Sequence, residues 1–456
     1  MATTSSVGSA GLDVPTLVSQ LMAIERQPID KLNTKISSYQ TKISSFGTIS
    51  GLVSSFQTAT QSLSSSFQGF SAASSDTSIF SASAASTAVA GTYSLNITAL
   101  AQATQLAAAG QASDISAIAA TGPSTVTFTV GGINTNITIA AGATLQNIRD
   151  TINAANMGVT ATIVNSGGAT PYRLAISSNS TGVSNAISSI TVQAGGDASV
   201  NSLLAYAPTV NPPALVTMTQ TTAAQNAAFT VNGIAVTSAS NTVTTAIQGV
   251  TLTLSKVTAT PATLTVARDT GAVSKAASSF VDAYNALASK LKSLSAFGSG
   301  GTSGGALAGD GTVRLMQSQL RDIFNTAASG GTLTSLAQVG IAFQADGTLK
   351  LDSSKLNSAM ASNFGDVTNL FSSATGFATR LDTWATSVIS SGNGLIATRT
   401  QSLNTTIKGY NDQINKLEIR MKALQKQYTT TYSNLNVMLS SMNSTSAYLT
   451  QQLARL

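Results

Sequence analysis

The sequence lacks two of the residue types that most often carry chemistry, because its 456 residues include no cysteine and no histidine. Disulfides, thiol nucleophiles and imidazole bases are therefore excluded, and so are zinc sites built from the usual Cys and His ligands. The carboxylates are scattered, and one close pair, Asp346 and Asp352, flanks a turn. A catalytic site would have to be assembled from distant segments, so we expect no enzyme, no metal site and no cofactor.

Charge is scarce as well. Charged residues make up 9% of the chain, whereas about 25% is usual in globular proteins. Only nine of the 40 lie between residues 71 and 270, so the middle differs in composition from the two ends. The net charge of +6 is a mild bias without a dense basic stripe, and we expect no nucleic-acid binding. A surface of Ser, Thr, Asn and Gln is weakly solvated and suits contact with copies of itself.

Long hydrophobic runs are also missing. No stretch of about 18 apolar residues occurs, so we expect no membrane span. The N-terminus has no basic segment followed by an apolar core, so we expect no cleaved signal peptide. The glycine-rich segment 298–310 is not followed by the Gly-Lys-Ser/Thr of a phosphate-binding loop.

The sequence contains a helical pattern near the N-terminus. Asp13 suits a helix N-cap and Pro15 falls in the first turn, where its missing N–H costs nothing. Pro28 ends or kinks this helix. Its apolar face is formed by Leu17, Leu21 and Ile24. A second run has the alternating spacing of a coiled-coil seam and comprises Leu32, Ile36, Tyr39, Ile43 and Phe46.

The C-terminal region carries the strongest periodicity of the chain. Its first eight positions keep the coiled-coil spacing without error, at Leu403, Ile407, Tyr410, Ile414, Leu417, Met421, Leu424 and Tyr428. The pattern continues through Leu435, Met438, Met442 and Leu449. We predict that the two chain ends pair antiparallel as a stalk. Because the N-terminal pattern is too short to cover this seam, we expect the surplus to contact other chains.

The middle of the chain alternates Thr, Val and Ile between Gly, Asn and Pro, which predicts β-strands. The segment FTVGGI at 128–133 recurs as FTVNGI at 229–234, and we predict that each copy forms a hairpin, a short helix and a returning strand. The helix of the first copy has an apolar face of Leu145, Ile148 and Ile152. Three segments are predicted as hinges or surface loops, at 69–92, 298–310 and 391–394. The Ser/Ala-rich stretch 69–91 within the first is typical of a linker or an irregular strand.

Four segments together resemble a known family, the flagellar hook-associated protein 2 or filament cap family. GLDVPTLVSQLMAIERQPIDKL (11–32) is similar to its N-terminal signature, and AGTYSLNITALAQATQL (90–106) to the block that follows. FTVGGINTNITIAAGATLQNIRDTINAANMGVTATIV (128–164) resembles the internal motif of flagellar axial proteins. FTVNGIAVTSASNTVTTAIQGVTLTL (229–254) resembles the start of the C-terminal region.

The resemblance implies an extracellular cap at the distal tip of the flagellum, which retains exported flagellin and guides its insertion into the filament. It implies a homo-oligomer of about five copies, or six in some relatives. Further implied partners are the filament tip, the hook-associated junction proteins and an export chaperone, with passage through the flagellar type III route without a cleaved signal. The absence of cysteine fits this route. The alternatives are a junction protein or flagellin, with host adhesion as an added role.

The resemblance also implies the architecture and the docking residues. The fold class is α+β and multidomain, with a terminal antiparallel coiled coil and a helical-bundle leg that carry two inserted β-rich head domains. The apolar residues of both terminal seams, from Leu17 to Phe46 and from Leu403 to Leu435, are assigned to filament docking and oligomerisation. The domains are expected at 1–45 with 404–456 (coiled coil), 46–70 with 272–403 (leg), 71–125 with 227–271 (head) and 126–226 (outer head).

Overall fold

The computed structural model describes residues 12–119, 121–208, 216–298 and 304–454. The leader, Gly11 and part of the glycine-rich segment therefore lie outside the described residues. Two compact units are present, a helical one that comprises the chain up to Phe67 and from Thr270 onward, and a β-rich one from Gln68 to Asp269. The predicted α+β class is thus confirmed, and the four domain boundaries stay predictions.

The helices are α1 (Val14–Glu25), α2 (Gln27–Ser66), α3 (Leu145–Ala154), α4 (Ala198–Leu204), α5 (Thr270–Ser295), α6 (Gly311–Asn325), α7 (Ser353–Ser372), α8 (Phe377–Ile389) and α9 (Leu395–Leu453). The strands are β1 (Phe70–Ser74), β2 (Phe80–Ala84), β3 (Gly91–Ala99), β4 (Gln105–Ala107), β5 (Ser124–Val130), β6 (Ile133–Ile139), β7 (Val159–Asn165), β8 (Tyr172–Ser178), β9 (Ile187–Val192), β10 (Thr219–Thr222), β11 (Ala227–Val231), β12 (Ile234–Ser238), β13 (Thr242–Ile247), β14 (Val250–Leu254), β15 (Ala262–Arg268), β16 (Ile341–Phe343) and β17 (Leu349–Leu351). No helix in these ranges is long and apolar enough to cross a membrane.

The start of the chain follows the sequence signals closely. The Asp13 side chain accepts a hydrogen bond from the backbone N–H of Thr16 at 3.2 Å, as an N-cap should. The interruption expected at Pro28 falls at Arg26, between α1 and α2. Arg26 keeps helical dihedral angles (φ −80°, ψ −13°). The interruption therefore comes from the missing proline N–H rather than from a turn of the chain.

The core of the helical unit is aromatic. The Phe56 ring of α2 lies 5.3 Å from that of Phe280, 5.9 Å from Tyr284 and 6.4 Å from Trp384, measured between centroids. These contacts join α2 to α5 and α8. The side chain of Asp310 caps α6 and binds Arg399 of α9 at 2.8 Å, so α6 and α9 are linked by a charge pair.

The β-rich unit contains two separate cores. One lies between a sheet of order β1-β15-β3-β11-β12 and a sheet of order β13-β14-β2, and it includes Phe80, Leu95, Leu252 and Leu264. The second is formed by sheets β10-β4-β8-β7 and β6-β5-β9 with α3 and α4. The predicted face of α3 belongs to this second core, where its three residues are fully buried, namely Leu145, Ile148 and Ile152.

The two repeat copies share a hairpin but differ after it. Gly131–Gly132 and Asn232–Gly233 all have positive φ, which is the signature of a two-residue type I′ turn. The first copy continues into α3 and β7, as predicted. The second copy forms β13 and β14 instead, so the predicted helix is wrong there. The first copy has a Thr144–Asn147 capping box to start its helix, whereas the strand β13 pairs with β14.

Of the segments predicted as hinges or surface loops, 69–92 forms strands, whereas 391–394 is a surface turn. Residues 69–92 contain β1 and β2, and Phe80 is fully buried. In the segment 391–394, a Cβ on Gly394 would lie 2.4 Å from the Ser390 carbonyl oxygen, so this connection is a closed turn. The described end of the glycine-rich segment packs on α5, where Leu307 donates to the Leu294 carbonyl oxygen and is fully buried.

Candidate docking site in the terminal coiled coil

The two chain ends pair antiparallel, as predicted. Near one end of the pair, the backbone N–H of Leu12 donates to Asn436 Oδ1 at 2.7 Å. Further along, the rings of Tyr39 and Tyr410 lie 5.8 Å apart. The N-terminal residue numbers rise while those of α9 fall, so α1 and the first half of α2 run against α9.

The core of this pairing is narrow and apolar. Its fully buried members are Val14, Val18, Met22, Ile29 and Met421. Half-buried residues surround them, namely Leu12, Ile414, Leu417, Leu424, Tyr428 and Tyr432. Most of the predicted α9 seam therefore faces α1 and α2.

The residues with which α1 contacts α9 are not the ones that the local helical pattern of α1 predicts. Val18, Met22 and Ile29 belong to the same alternating series as Leu32 and Ile36, at intervals of 4, 7, 3 and 4 residues. Glu25 occupies the skipped position of this series. Extending the seam backward across Pro28 would have identified these residues, because the helix direction continues through Arg26.

The predicted α1 face lies beside this contact. Leu17 and Leu21 are half-buried, whereas the Ile24 side chain is 63% exposed. The predicted α2 residues all face inward to some degree, with Ile36 and Phe46 buried and the others half-buried, namely Leu32, Tyr39 and Ile43.

The predicted α9 residues fall into three groups. Leu403 and Met421 are buried, and Leu435 is exposed. The rest are half-buried, namely Ile407, Tyr410, Ile414, Leu417, Leu424 and Tyr428.

Polar contacts border the seam. Arg26 binds Glu418 at 2.5 Å across the pair. The Tyr428 hydroxyl donates to Glu25 Oε1 at 3.3 Å, and the pKa of Tyr428 is raised by burial and then by this carboxylate. A hydrogen bond with Tyr39 raises the pKa of Tyr410. Because both tyrosines stay neutral at physiological pH, they serve as hydrogen-bonding members of an otherwise apolar seam.

From Leu435 onward, the residues that the structure describes leave the apolar seam of α9 uncovered. We define the uncovered seam as Leu435, Met438, Met442 and Leu449, whose exposed fractions range from 40% to 63%. Every residue from 440 to 454 is exposed. Within the part of the chain that the structure describes, the apolar cluster of the pair extends no further along α9 than Tyr432. The site therefore combines a closed antiparallel pair with a projecting apolar helix end.

In the described ranges, no group of three or more carboxylates is arranged to hold a metal ion. Together, the paired ends and the inserted β-rich unit define a class of α+β protein in which both termini join in one coiled coil.

Comparison with known proteins identifies the family. Family models described as flagellar hook-associated protein 2 N-terminus and C-terminus match residues 10–104 and 224–444, and the flagellin hook IN motif matches 125–180. Flagellar hook-associated protein 2 of Escherichia coli K12 is 36% identical over 99% of this chain and 98% of its own. The A-type protein of Pseudomonas aeruginosa is 30% identical over 100% and 98%. The chain belongs to the flagellar hook-associated protein 2 family.

A solved structure agrees with this assignment. The crystal structure of the D1-D2-D3 domains of the flagellar cap protein FliD from Escherichia coli matches with a TM-score of 0.68 and 36% identity. It covers 79% of this chain and 99% of the solved one. The alternatives of a junction protein or flagellin are not favoured, because the matches at both ends of the chain are to hook-associated protein 2.

Proposed function

We propose that this chain caps the distal tip of the bacterial flagellar filament, outside the cell. As an oligomer of about five or six copies, it retains exported flagellin and guides each subunit into the growing filament. The role is structural rather than catalytic. Family membership over the full length supports this proposal.

The uncovered seam is the observation that carries the docking mechanism. An exposed apolar helix stripe is normally covered by a partner. Here the partners would be grooves at the filament tip and the terminal helices of neighbouring copies. A cap whose symmetry differs from that of the filament cannot fill every groove at once, so one gap stays open for the next flagellin.

The other proposed partners follow from the family. They are the hook-associated junction proteins, on which the first filament subunits assemble, and an export chaperone that keeps the chain from associating early. The flagellar type III route is proposed for export, and a chain without cysteine suits unfolded passage into an oxidising space.

The predicted docking residues divide into two roles in this proposal. Those that face the partner helix, such as Leu417 and Leu424, hold the pair together. Ile24 and Leu435 are exposed and remain available for contacts outside the protomer. The residues that hold the pair together thus fix the positions of the exposed residues that contact other chains.

The test replaces two uncovered-seam residues, Met438→Asp and Met442→Asp, in one chain. We expect this variant to keep its fold, because both side chains are exposed, and to fail to attach to filament tips in electron micrographs. Cells that carry it should secrete flagellin without growing filaments.

The matched control is Ser440→Asp with Ser444→Asp, which adds the same charge at the same spacing on exposed polar positions of α9. Filament growth should survive in the control. Normal attachment of the Met438/Met442 variant would overturn the docking mechanism.

A further inference from the structure

A cleft in the helical unit lies apart from the coiled coil and has no part in the function proposed above. Its volume is about 490 Å³, within the range of about 300–1,000 Å³ that is usual for ligand pockets. It opens between α5, α6 and the β16–β17 hairpin. We call it the hairpin cleft and define it by Tyr284, Leu291, Lys292, Leu320, Arg321 and Phe343.

The floor of the hairpin cleft is apolar. Tyr284, Leu291 and Leu320 are buried, and the ring of Phe343 projects beside them with 47% of the residue exposed. The Phe343 ring lies 5.9 Å from that of Tyr284, in an edge-on arrangement. An exposed phenylalanine at the mouth of an aromatic-lined cleft is typical of a surface that holds an apolar side chain.

Hydrogen bonds hold the wall of the hairpin cleft in place before any ligand binds. The Asn285 amide brackets the hairpin, since it donates to the Leu349 carbonyl oxygen at 2.9 Å and accepts from the Leu349 N–H at 2.7 Å. The Tyr284 hydroxyl donates to the Gly347 carbonyl oxygen at 3.4 Å. A ligand would therefore meet a formed site, which keeps the entropy cost of binding low.

The rim carries a net positive charge, since it has two basic side chains and one acidic one; Lys292 also donates to the Asp346 carbonyl oxygen at 3.5 Å. Lys292 and Arg321 are exposed, and neither forms an ion pair with any residue that the structure describes. The one acidic side chain of the lining, Asp346, accepts hydrogen bonds from the backbone and hydroxyl of Thr348, at 2.9 and 2.6 Å. The cleft therefore combines an apolar floor with a net positive rim.

The apolar floor and the net positive rim of the hairpin cleft indicate which kind of partner would bind there. The uncovered seam of a second copy is disfavoured as the occupant, because that seam contains no acidic residue and none follows Glu418 in the sequence. We propose that the hairpin cleft binds an amphipathic helix of a different protein, with an apolar side chain inserted against Phe343 and a carboxylate beside it on Arg321 and Lys292. This is recognition of a helix in a groove with charge complementarity at its edge.

The experiment uses the full chain and a fluorescent, alanine-rich helical peptide with Leu and Phe along one face and Glu on either side of them. A second peptide has Lys in place of each Glu. Fluorescence anisotropy should show saturable binding of the Glu peptide and binding that is weaker by about tenfold for the Lys peptide. Arg321→Glu should remove this preference, and Phe343→Ala should weaken both peptides.

Two controls locate the binding. Arg314→Glu makes the same charge change on α6 outside the cleft and should leave the affinity unchanged. Met438→Asp alters the uncovered seam and should also leave it unchanged. The fluorescence of Trp384, which is the sole tryptophan and is buried in this unit, reports that each variant is folded.

The proposal fails if neither peptide binds saturably or if both bind with the same affinity. It also fails if Met438→Asp changes the affinity and Arg321→Glu does not. None of these results would affect the cap function, because attachment to filaments is assigned to the uncovered seam and is measured separately.

Discussion

Arg399→Met should destabilise the helical unit by removing the partner of a buried carboxylate. The Asp310 side chain is 2% exposed and accepts two hydrogen bonds from the guanidinium, at 3.1 Å from Nε and 2.8 Å from Nη2. Its other oxygen caps α6 through the Thr312 N–H at 2.9 Å. Methionine keeps most of the aliphatic stem, so the change isolates the charge pair.

The size of the effect follows from the geometry. Hydrogen bonds to a charged group contribute about 1.5–3 kcal/mol, and loss of one partner leaves the other charge desolvated. Arg399 is 35% exposed, so water replaces part of the contact. We expect a loss of about 2 kcal/mol in the free energy of unfolding, which is about 30-fold in the equilibrium constant.

The pH dependence of the free energy of unfolding provides a second, independent test of this charge pair. Burial raises the pKa of Asp310, but hydrogen bonds from Arg399 and Thr312 outweigh it and hold the pKa below its usual value. In the parent chain this contribution to stability is present above the unfolded pKa and lost as pH falls through the folded one. Without Arg399, burial dominates and the pKa rises. The deficit of the variant should therefore shrink as the pH falls from neutral toward and below the unfolded pKa of 3.8.

Urea unfolding followed by Trp384 fluorescence measures both effects. Trp384 suits this purpose, because its Nε1 donates to Gln319 of α6 at 3.1 Å. Asp310→Asn in the same background should recover part of the loss, since the amide oxygen can still cap α6. A deficit well below 1 kcal/mol that does not change with pH would refute this account.

Two further predictions concern the β-rich unit and the seam. Asp197 accepts hydrogen bonds from the side chain and backbone of Thr121, which lower its pKa to about 2. Its contribution to stability should therefore be complete above the unfolded pKa of 3.8 and disappear as pH falls toward about 2. Asp197→Asn should lose stability at neutral pH and converge with the parent in acid, as measured by urea unfolding with circular dichroism; parallel curves would contradict this. Leu417→Asp with Leu424→Asp should separate α1 from α9 and abolish capping, while the β-rich unit keeps its circular dichroism spectrum and cooperative unfolding. Capping at the normal level would show that the pair is not needed to present the uncovered seam.

Elements whose partners lie near in the chain could be predicted from the local sequence. Elements whose partners are distant in the chain could not. The hairpin turns and α3 were predicted, since their glycine, asparagine and capping residues act locally. The Ser/Ala-rich stretch of β1 and β2 could be predicted only as a linker or an irregular strand, because these strands form only through pairing with β15 and β14, which lie between 166 and 198 residues away. Strand formation depends on such neighbours more than on intrinsic preference.

The same distinction explains the candidate site. The α9 seam was readable because its spacing is long and regular. On α1 taken alone, Leu17, Leu21 and Ile24 form an equally plausible face. The choice of Val18 and Met22 requires the seam of α2 to be extended backward or the register with α9 to be known. The hairpin cleft had no sequence signal, because α5, α6 and the β16–β17 hairpin each contribute a few residues that only tertiary packing brings together.

The length of α9 that its partner helices leave uncovered, in contrast, follows from the number of residues in each helix. Each residue of a helix advances about 1.5 Å, so antiparallel partners cover each other residue for residue. The partner that the structure describes extends back to Leu12, which meets Asn436. The last part of α9, from 437 to 453, thus projects about 25 Å past that contact. This projection has apolar seam residues and no acidic residue, so ion pairs with a basic partner cannot stabilise it. An apolar groove on another chain is the surface that its composition fits.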